Sequence, residues 1–298
     1  MFLSDSLRPA AHVVELVDTL DSESSGATRG GSSPLVSTFY VIGVCRGSSR
    51  LAPGVGQGGD ECFRSMAVPS QDQNPVFVHR AFSAIARRYV LTNHVLSLGI
   101  DVIWRRRVAR HVRDAGAKLV LDVATGSGDL ARTVRDGVSA VRVVGVDFCA
   151  PMLAEARKRG LDDLLVCDGL DLPFAGSSFD AITIGYGLRN MADWSAALRE
   201  FSRVLKPGGL LVVLDFSLPA SALMRTPYRF YLHRLLPHIA GALTGNREAY
   251  AYLGDSIERF PSGSRMKALI EANGFTDARW EPQFGGISSL YTAKRPLT

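Results

Sequence analysis

The sequence predicts an α/β fold, a mostly parallel seven-stranded sheet with helices on both faces, and three observations carry that prediction. Short apolar runs alternate with helical patterns from residue 118 to residue 217, the rhythm of a parallel sheet whose crossovers are helices. The first run feeds a tight Gly126-Ser127-Gly128 turn that opens a helix. The last two runs, within 275–293, have no helix between them and meet across Gly285-Gly286, as a closing strand pair does.

Taken in order, residues 1–65 stand apart from this rhythm. They are rich in Gly and Ser, contain no Lys, hold five Arg against seven Asp plus Glu, and sustain neither helical nor strand periodicity. The acidic residues argue against an organelle transit peptide, and the apolar run Leu35 to Cys45 lacks the basic leader of a signal peptide. The stretch Val13 to Ser22 resembles the translation of a transfer-RNA gene, and Met66 opens a sensible start. Residues 1–65 are therefore expected to be a disordered or misassigned extension, with the folded domain at 66–298. Val76 to Arg88 and Val90 to Val112 read as an N-terminal helical section. Strands follow at Lys118–Val123, Val141–Val146, Leu164–Cys167, Phe179–Tyr186 and Leu210–Phe216, the last behind a Lys206-Pro207-Gly208-Gly209 turn. Between them, helices are expected from Asp129, over Met152–Arg159 and over Trp194–Leu205.

Composition narrows the function classes. The formal charge is +5, yet 29 of the 34 basic residues are Arg and no basic block exceeds Arg105-Arg106-Arg107. That bias reflects base composition, and no nucleic-acid partner is expected. Four cysteines without paired spacing indicate neither a metal centre nor a disulfide framework, so a cytoplasmic setting is the expectation. No apolar run reaches the ~18 residues of a membrane-spanning helix.

The first turn points to a nucleoside. Glycines let the backbone pass close beneath a ligand, and Asp147, at the end of the second strand, lies 19 residues after Gly128. A carboxylate so placed can hold two ribose hydroxyls. Gly126-x-Gly128-x-x-Ala131 also satisfies the loose dinucleotide fingerprint, so the acidic residues decide. Asp129 occupies the helix start that a dinucleotide reserves for pyrophosphate. A carboxylate there suits a cationic ligand, and S-adenosylmethionine carries an ammonium and a sulfonium but no phosphate. Asp122 suits the same ligand, and Asp168, after the third strand, can accept a hydrogen bond from an adenine amine. The competing reading of Asp129 is a favourable N-terminal helix charge worth about 0.3–1 kcal/mol.

Residues 76–296 also resemble the quinone-biosynthesis C-methyltransferases, which act on demethylmenaquinol and on the ubiquinone precursor. The resemblance rests on Leu172-Pro173-Phe174 with Ser178-Phe179-Asp180, on Gly187-Leu188-Arg189-Asn190, and on Arg203 to Gly209. It continues through Asp215-Phe216-Ser217, Tyr252-Leu253, Ser256-Ile257, Phe260-Pro261 and Gly285-Gly286-Ile287. It implies a Rossmann-like class I methyltransferase fold that uses S-adenosyl-L-methionine. Ser127, Asp147, Asp168, Gly169 and Gly185 then fall at cofactor contacts, and Arg189 and Asn190 beside the reacting quinol. The family's Tyr-Asp-x-x-Asn lid motif reads Tyr89-Val90-Leu91-Thr92-Asn93 here, so Tyr89 joins the cofactor set while Val90 removes a carboxylate. The acceptor implied is a polyprenyl quinol, naphthoquinol or benzoquinol. Other lipophilic aromatic acceptors, or an inactive cofactor-binding scaffold, are the competing readings.

Carbon on a quinol ring is a weak nucleophile until a hydroxyl of pKa near ~10 loses its proton. Arg189 stays charged and cannot itself be the base, but it can orient a water or stabilise the quinolate. His233 and His238 are the alternatives at neutral pH. Both lie in 223–243, where aromatics and Arg interleave with apolar residues, as in a membrane-surface helix or a channel for a prenyl tail. Peripheral contact with the inner membrane face is expected there, and Phe284 to Tyr291 is a candidate homodimer edge.

Overall fold

A computed structural model describes residues 99–297 apart from Gly245 and Asn246, together with the short strands β1 (Val13–Glu15) and β2 (Tyr40–Ile42). The remainder of the expected 1–65 extension, the helix over 76–88, Tyr89 and Val90 lie outside the described residues. Helix α1 (Ile100–Asp114) precedes β3 (Leu119–Val123), α2 (Asp129–Gly137), β4 (Arg142–Asp147), α3 (Ala150–Lys158) and β5 (Leu164–Val166). Then come β6 (Phe179–Gly185), α4 (Trp194–Val204), β7 (Leu205–Phe216) and α5 (Ala222–Phe230). A π-helical turn, Tyr231–Leu235, leads into α6 (Leu236–Thr244), followed by α7 (Arg247–Arg259), α8 (Ser264–Glu271), β8 (Thr276–Gln283) and β9 (Ser288–Lys294).

The sheet runs β1-β2-β5-β4-β3-β6-β7-β9-β8. Strands β3 to β7 are parallel, and β9 is antiparallel to both neighbours. The seven strands from β3 onward are the seven read from sequence. Because β9 is paired on both sides, the free edge of the expected strand pair belongs to β8. Two boundaries differ from the sequence reading. Helix α4 stops at Val204, and β7 begins at Leu205, so the Lys-Pro-Gly-Gly turn is a bulge within a strand. Pairing jumps there from Phe179↔Leu205 to Ala181↔Leu210.

The central strands are buried on both faces, with successive side chains pointing to opposite layers. Val120, Val143, Val212 and Leu214 face a layer with Trp104, Val108, Leu130 and Leu153 from α1 to α3. Leu121, Ile182, Ile184 and Val213 face the other layer, with Leu198, Phe201 and Ile270 from α4 and α8. Helix α4 shows why: Ala197, Leu198, Phe201 and Val204 form one stripe, and Asp193 caps its start by accepting from the Ala196 N–H at 2.9 Å. Burial of Leu198, Phe201 and Val204 contributes roughly 1.5–3 kcal/mol each. Strand order reverses between β4 and β6 on either side of β3, so a crevice opens at the carboxyl ends of these strands. Among the described residues no helix is long and apolar enough to cross a membrane.

Candidate active site

The crevice is a cavity of about 750 Å³. Its floor is the turn after β3. Thr125 donates its N–H to the Val146 carbonyl at 3.0 Å, and Gly128 to the Thr125 carbonyl at 2.9 Å. Gly128 has φ +77° and caps α2, and a Cβ there would lie 2.3 Å from Leu161 Cδ1. Only glycine fits both the backbone and the space. From β4, Asp147 pins this turn: its Oδ2 accepts from the Gly126 N–H at 2.8 Å and its Oδ1 from the Cys149 N–H at 2.9 Å. After β5, Asp168 Oδ1 accepts from the Leu170 N–H at 2.9 Å. Of the residues expected to contact the cofactor, Gly126, Ser127, Asp147, Asp168, Gly169 and Gly185 line the cavity.

Asp122 and Gly128 do not line it. Asp122 is buried beneath the turn, accepting from Thr125 Oγ1 at 2.6 Å and Thr183 Oγ1 at 2.5 Å. Burial pushes its carboxyl up to about 6 against these bonds. It ties the turn to β6. Asp129 is also corrected. It lines the cavity, but Arg159 donates to it at 2.7 Å, Arg105 lies at 3.3 Å, and Ser127 Oγ donates at 2.8 Å. Burial raises this carboxyl, yet the hydrogen bond from Arg159 and the two guanidinium charges outweigh it and hold it below the ordinary range. A carboxylate matched by two arginines is no bare anion awaiting a cation, so the sequence argument against pyrophosphate lapses at this residue.

The opposite wall comes from the turn after β6, which touches the first turn: a Cβ at Gly187 would lie 2.4 Å from that of Ala124. This contact brings Arg189 and Asn190 to the same cavity as Asp147. Arg189 is only 4% exposed; its Nη1 donates to Asp215 Oδ1 at 2.8 Å, and its guanidinium carbon lies 5.3 Å from the centre of the Phe216 ring. Asn190 Nδ2 donates to the Tyr186 carbonyl at 3.3 Å, and Tyr252 Oη donates to Asn190 Oδ1 at 3.3 Å. Tyr228, Tyr231 and Tyr250 complete an aromatic end formed by α5 to α7. His233 and His238 do not line the cavity. His233 Nε2 lies 2.9 Å from Glu258 Oε1, and His238 Nδ1 lies 2.6 Å from the Arg234 carbonyl.

Sequence reasoning singled out Asp215 and Tyr252 only as carriers of the family resemblance and gave neither a place in the site. Asp215 lies one residue before the end of β7, beside the other strand ends at the crevice. Only folding brings Tyr186 and Tyr252 to Asn190. The donor set suits a nucleoside: carboxylates at two adjacent strand ends for ribose and base, above a glycine turn, with Phe148 and Met152 as apolar walls.

The pattern of the ubiE/COQ5 methyltransferase family matches residues 68–295. A demethylmenaquinone methyltransferase of Thermus thermophilus is 44% identical over 220 residues, 72% of this chain and 100% of the relative. One of Corynebacterium glutamicum is 42% identical over 231 residues, 78% of this chain and 99% of the relative. Among solved structures, a putative O-methyltransferase of Nostoc punctiforme is similar with a TM-score of 0.52 and 16% identity, covering 72% of this chain and 60% of its own. An S-adenosylmethionine-dependent methyltransferase of Thermotoga maritima gives 0.50 and 17%, covering 72% and 99%. These two share the fold, and the first two align with this chain along almost the whole of their own length. The chain belongs to the ubiE/COQ5 methyltransferase family.

Proposed function

We propose that this protein transfers the methyl group of S-adenosylmethionine to a ring carbon of demethylmenaquinol, a step in menaquinone biosynthesis. The observation that carries the reading is one cavity with two unlike ends. Asp147 and Asp168 offer acceptors to a nucleoside at one end, while Arg189, Asn190 and five tyrosines face an aromatic acceptor at the other. The names of the relatives supply the acceptor. Residues 66–298 are the working domain in this reading, which the family match from residue 68 supports.

When bound, the cofactor supplies an electrophilic methyl on a sulfonium. The chain's residues supply alignment, worth up to ~7–11 kcal/mol in well-oriented systems. Asp147 holds the ribose and fixes the turn under it, and Asp168 holds the adenine. Arg189 faces the quinol hydroxyl, where its charge favours loss of the hydroxyl proton to a water and so the quinolate that makes the ring carbon nucleophilic; the ring proton that the methyl group replaces also passes to water, restoring the aromatic quinol. Asn190 positions the hydroxyl with its remaining amide proton. The histidines, turned away from the cavity, take no proton.

The prenyl tail leaves through an apolar rim that rests on an anionic lipid surface. Ile239 and Phe284 line the cavity and are also exposed, and Leu223, Phe230 and Leu235, on the segment that leads into α6, are exposed as well. Between Asp215 and Glu248 the sequence holds four arginines and no carboxylate, which complements anionic headgroups. The full chain incubated with labelled S-adenosylmethionine and either reduced demethylmenaquinone or the benzoquinol precursor tests the reading. Label in menaquinone is the expected result, and label only in the benzoquinol product overturns the ring assignment.

A further inference from the structure

We infer that Asp215, which stands behind the cavity wall, positions Arg189 and sets the charge that the acceptor hydroxyl meets there. The inference rests on the reading that Arg189 faces the acceptor. Asp215 is fully buried and does not line the cavity, whereas Arg189 does. Three N–H groups fix the carboxylate. Arg189 Nη1 and the Phe216 N–H donate to Oδ1, both at 2.8 Å, and the Arg189 N–H to Oδ2 at 3.3 Å. Backbone and side chain of Arg189 are thus held by one group.

The neighbouring backbone serves the same end. Tyr186 adopts φ +60°, a left-handed conformation uncommon for an aromatic residue. It is held there by its N–H to the Leu214 carbonyl at 2.7 Å and by its ring against Phe216, 4.5 Å between centres. In this conformation the Tyr186 carbonyl accepts from both Arg189 Nη1 and Asn190 Nδ2. A strained turn and a buried carboxylate therefore converge on one guanidinium.

Stability alone does not account for the pair. Replacing a buried ion pair by apolar residues of similar volume is often neutral or stabilising. Here the pair aims a guanidinium at the wall of an active-site cavity and tempers its charge without abolishing it. The acceptor then meets a directed donor whose remaining field still favours the quinolate. Other titratable or charged groups facing the pair are Tyr186 and Tyr228 towards Arg189, Tyr291 towards Asp215, and Arg105 through Tyr186. Burial raises the three phenols, so they stay neutral through the working pH range, and burial also raises Asp215 against the pull of Arg189.

Asp215→Asn in the full chain tests the inference, with turnover on the quinol followed against pH and cofactor affinity followed by calorimetry. Turnover is expected to fall about 100-fold, the scale of loss when alignment slips by about an ångström, with cofactor affinity retained. The rise of turnover with pH should also move to lower pH, because an uncompensated guanidinium favours the quinolate. In an Arg189→Lys background the same substitution should cost only about threefold more, since the two residues act as one unit. Unchanged turnover and pH profile in Asp215→Asn, or losses that multiply in the double variant, overturn the inference. Should the Asn variant not fold, Asp215→Glu keeps the charge but displaces it. It should lower turnover without moving the pH profile, and wild-type turnover there overturns positioning. Wild-type turnover in Arg189→Lys instead overturns the reading of Arg189 at the acceptor, and this inference with it.

Discussion

Asp122→Asn separates a structural from a ligand-binding role for the carboxylate beneath the glycine turn. In the folded chain burial lifts this carboxyl from 3.8 to about 6. At about 1.36 kcal/mol per pH unit that difference is about 3 kcal/mol. The sign follows from proton binding. Below pH 3.8 both folded and unfolded chains are protonated and the group costs nothing. Between the two values the folded chain keeps a proton that the unfolded chain has released, so stability falls as pH rises, and above 6 the full cost of the buried anion is present. Asparagine has no such cost, and its amide can bond both Thr125 and Thr183 hydroxyls in the same site. Urea unfolding of both proteins, without cofactor, at pH 4.5, 5.5, 6.5 and 7.5 therefore gives a stability difference, wild type minus variant, that drops by about 2 kcal/mol over this range, the first ~1 kcal/mol having been lost below pH 4.5. Carboxylates held below their ordinary range, such as Asp129 and Glu258, run the other way but cancel in the difference. A difference that stays level or rises with pH refutes the reasoning, and loss of cofactor affinity in the variant refutes the structural role.

Four further outcomes follow from the same geometry. Asp147→Ala strips the partner from two backbone N–H groups and the ribose acceptor; at about 1.5–3 kcal/mol per charged hydrogen bond, calorimetry should find cofactor affinity down at least about 100-fold. Gly128→Ala forces a methyl against Leu161 at a left-handed φ and should cost about 1–3 kcal/mol in urea unfolding. His233→Ala should leave turnover within about twofold, because its ring pairs with Glu258 outside the cavity; a larger loss would return it to the proton path. Phe230→Ser with Phe284→Ser should reduce flotation with anionic vesicles at least about tenfold while leaving cofactor affinity intact, and unaltered flotation removes the rim from the membrane contact.

Local signals were legible because they depend on neighbours in the chain. The glycine turn, Asp147 at a strand end, the helix stripe of Ala197, Leu198, Phe201 and Val204, and the paired closing strands all follow from periodicity and backbone freedom. The Lys206 to Gly209 bulge was misread as a turn before a strand, since Pro and Gly mark both and only pairing with β6 distinguishes them. The partners of Asp122 and Asp129 were hidden for a related reason. A carboxylate in a sequence looks free, and what it meets comes from elsewhere: Thr183 on another strand, Arg105 on α1 and Arg159 at the end of α3.

The order of apolar runs and turns by itself determined the seven strands, their helices and the place of the nucleoside turn, because strand and helix periods are properties of adjacent residues. It also brought Asp147, Asp168, Arg189 and Asn190 to strand ends, where a parallel sheet opens its crevice. Only the tertiary structure decided which carboxylates face that crevice and which are consumed in holding it, and that Arg189 is backed by Asp215 26 residues later. Charge balance in a buried site depends on distances of a few ångströms between segments far apart in the chain, and those distances exist only once the sheet has closed its two apolar layers.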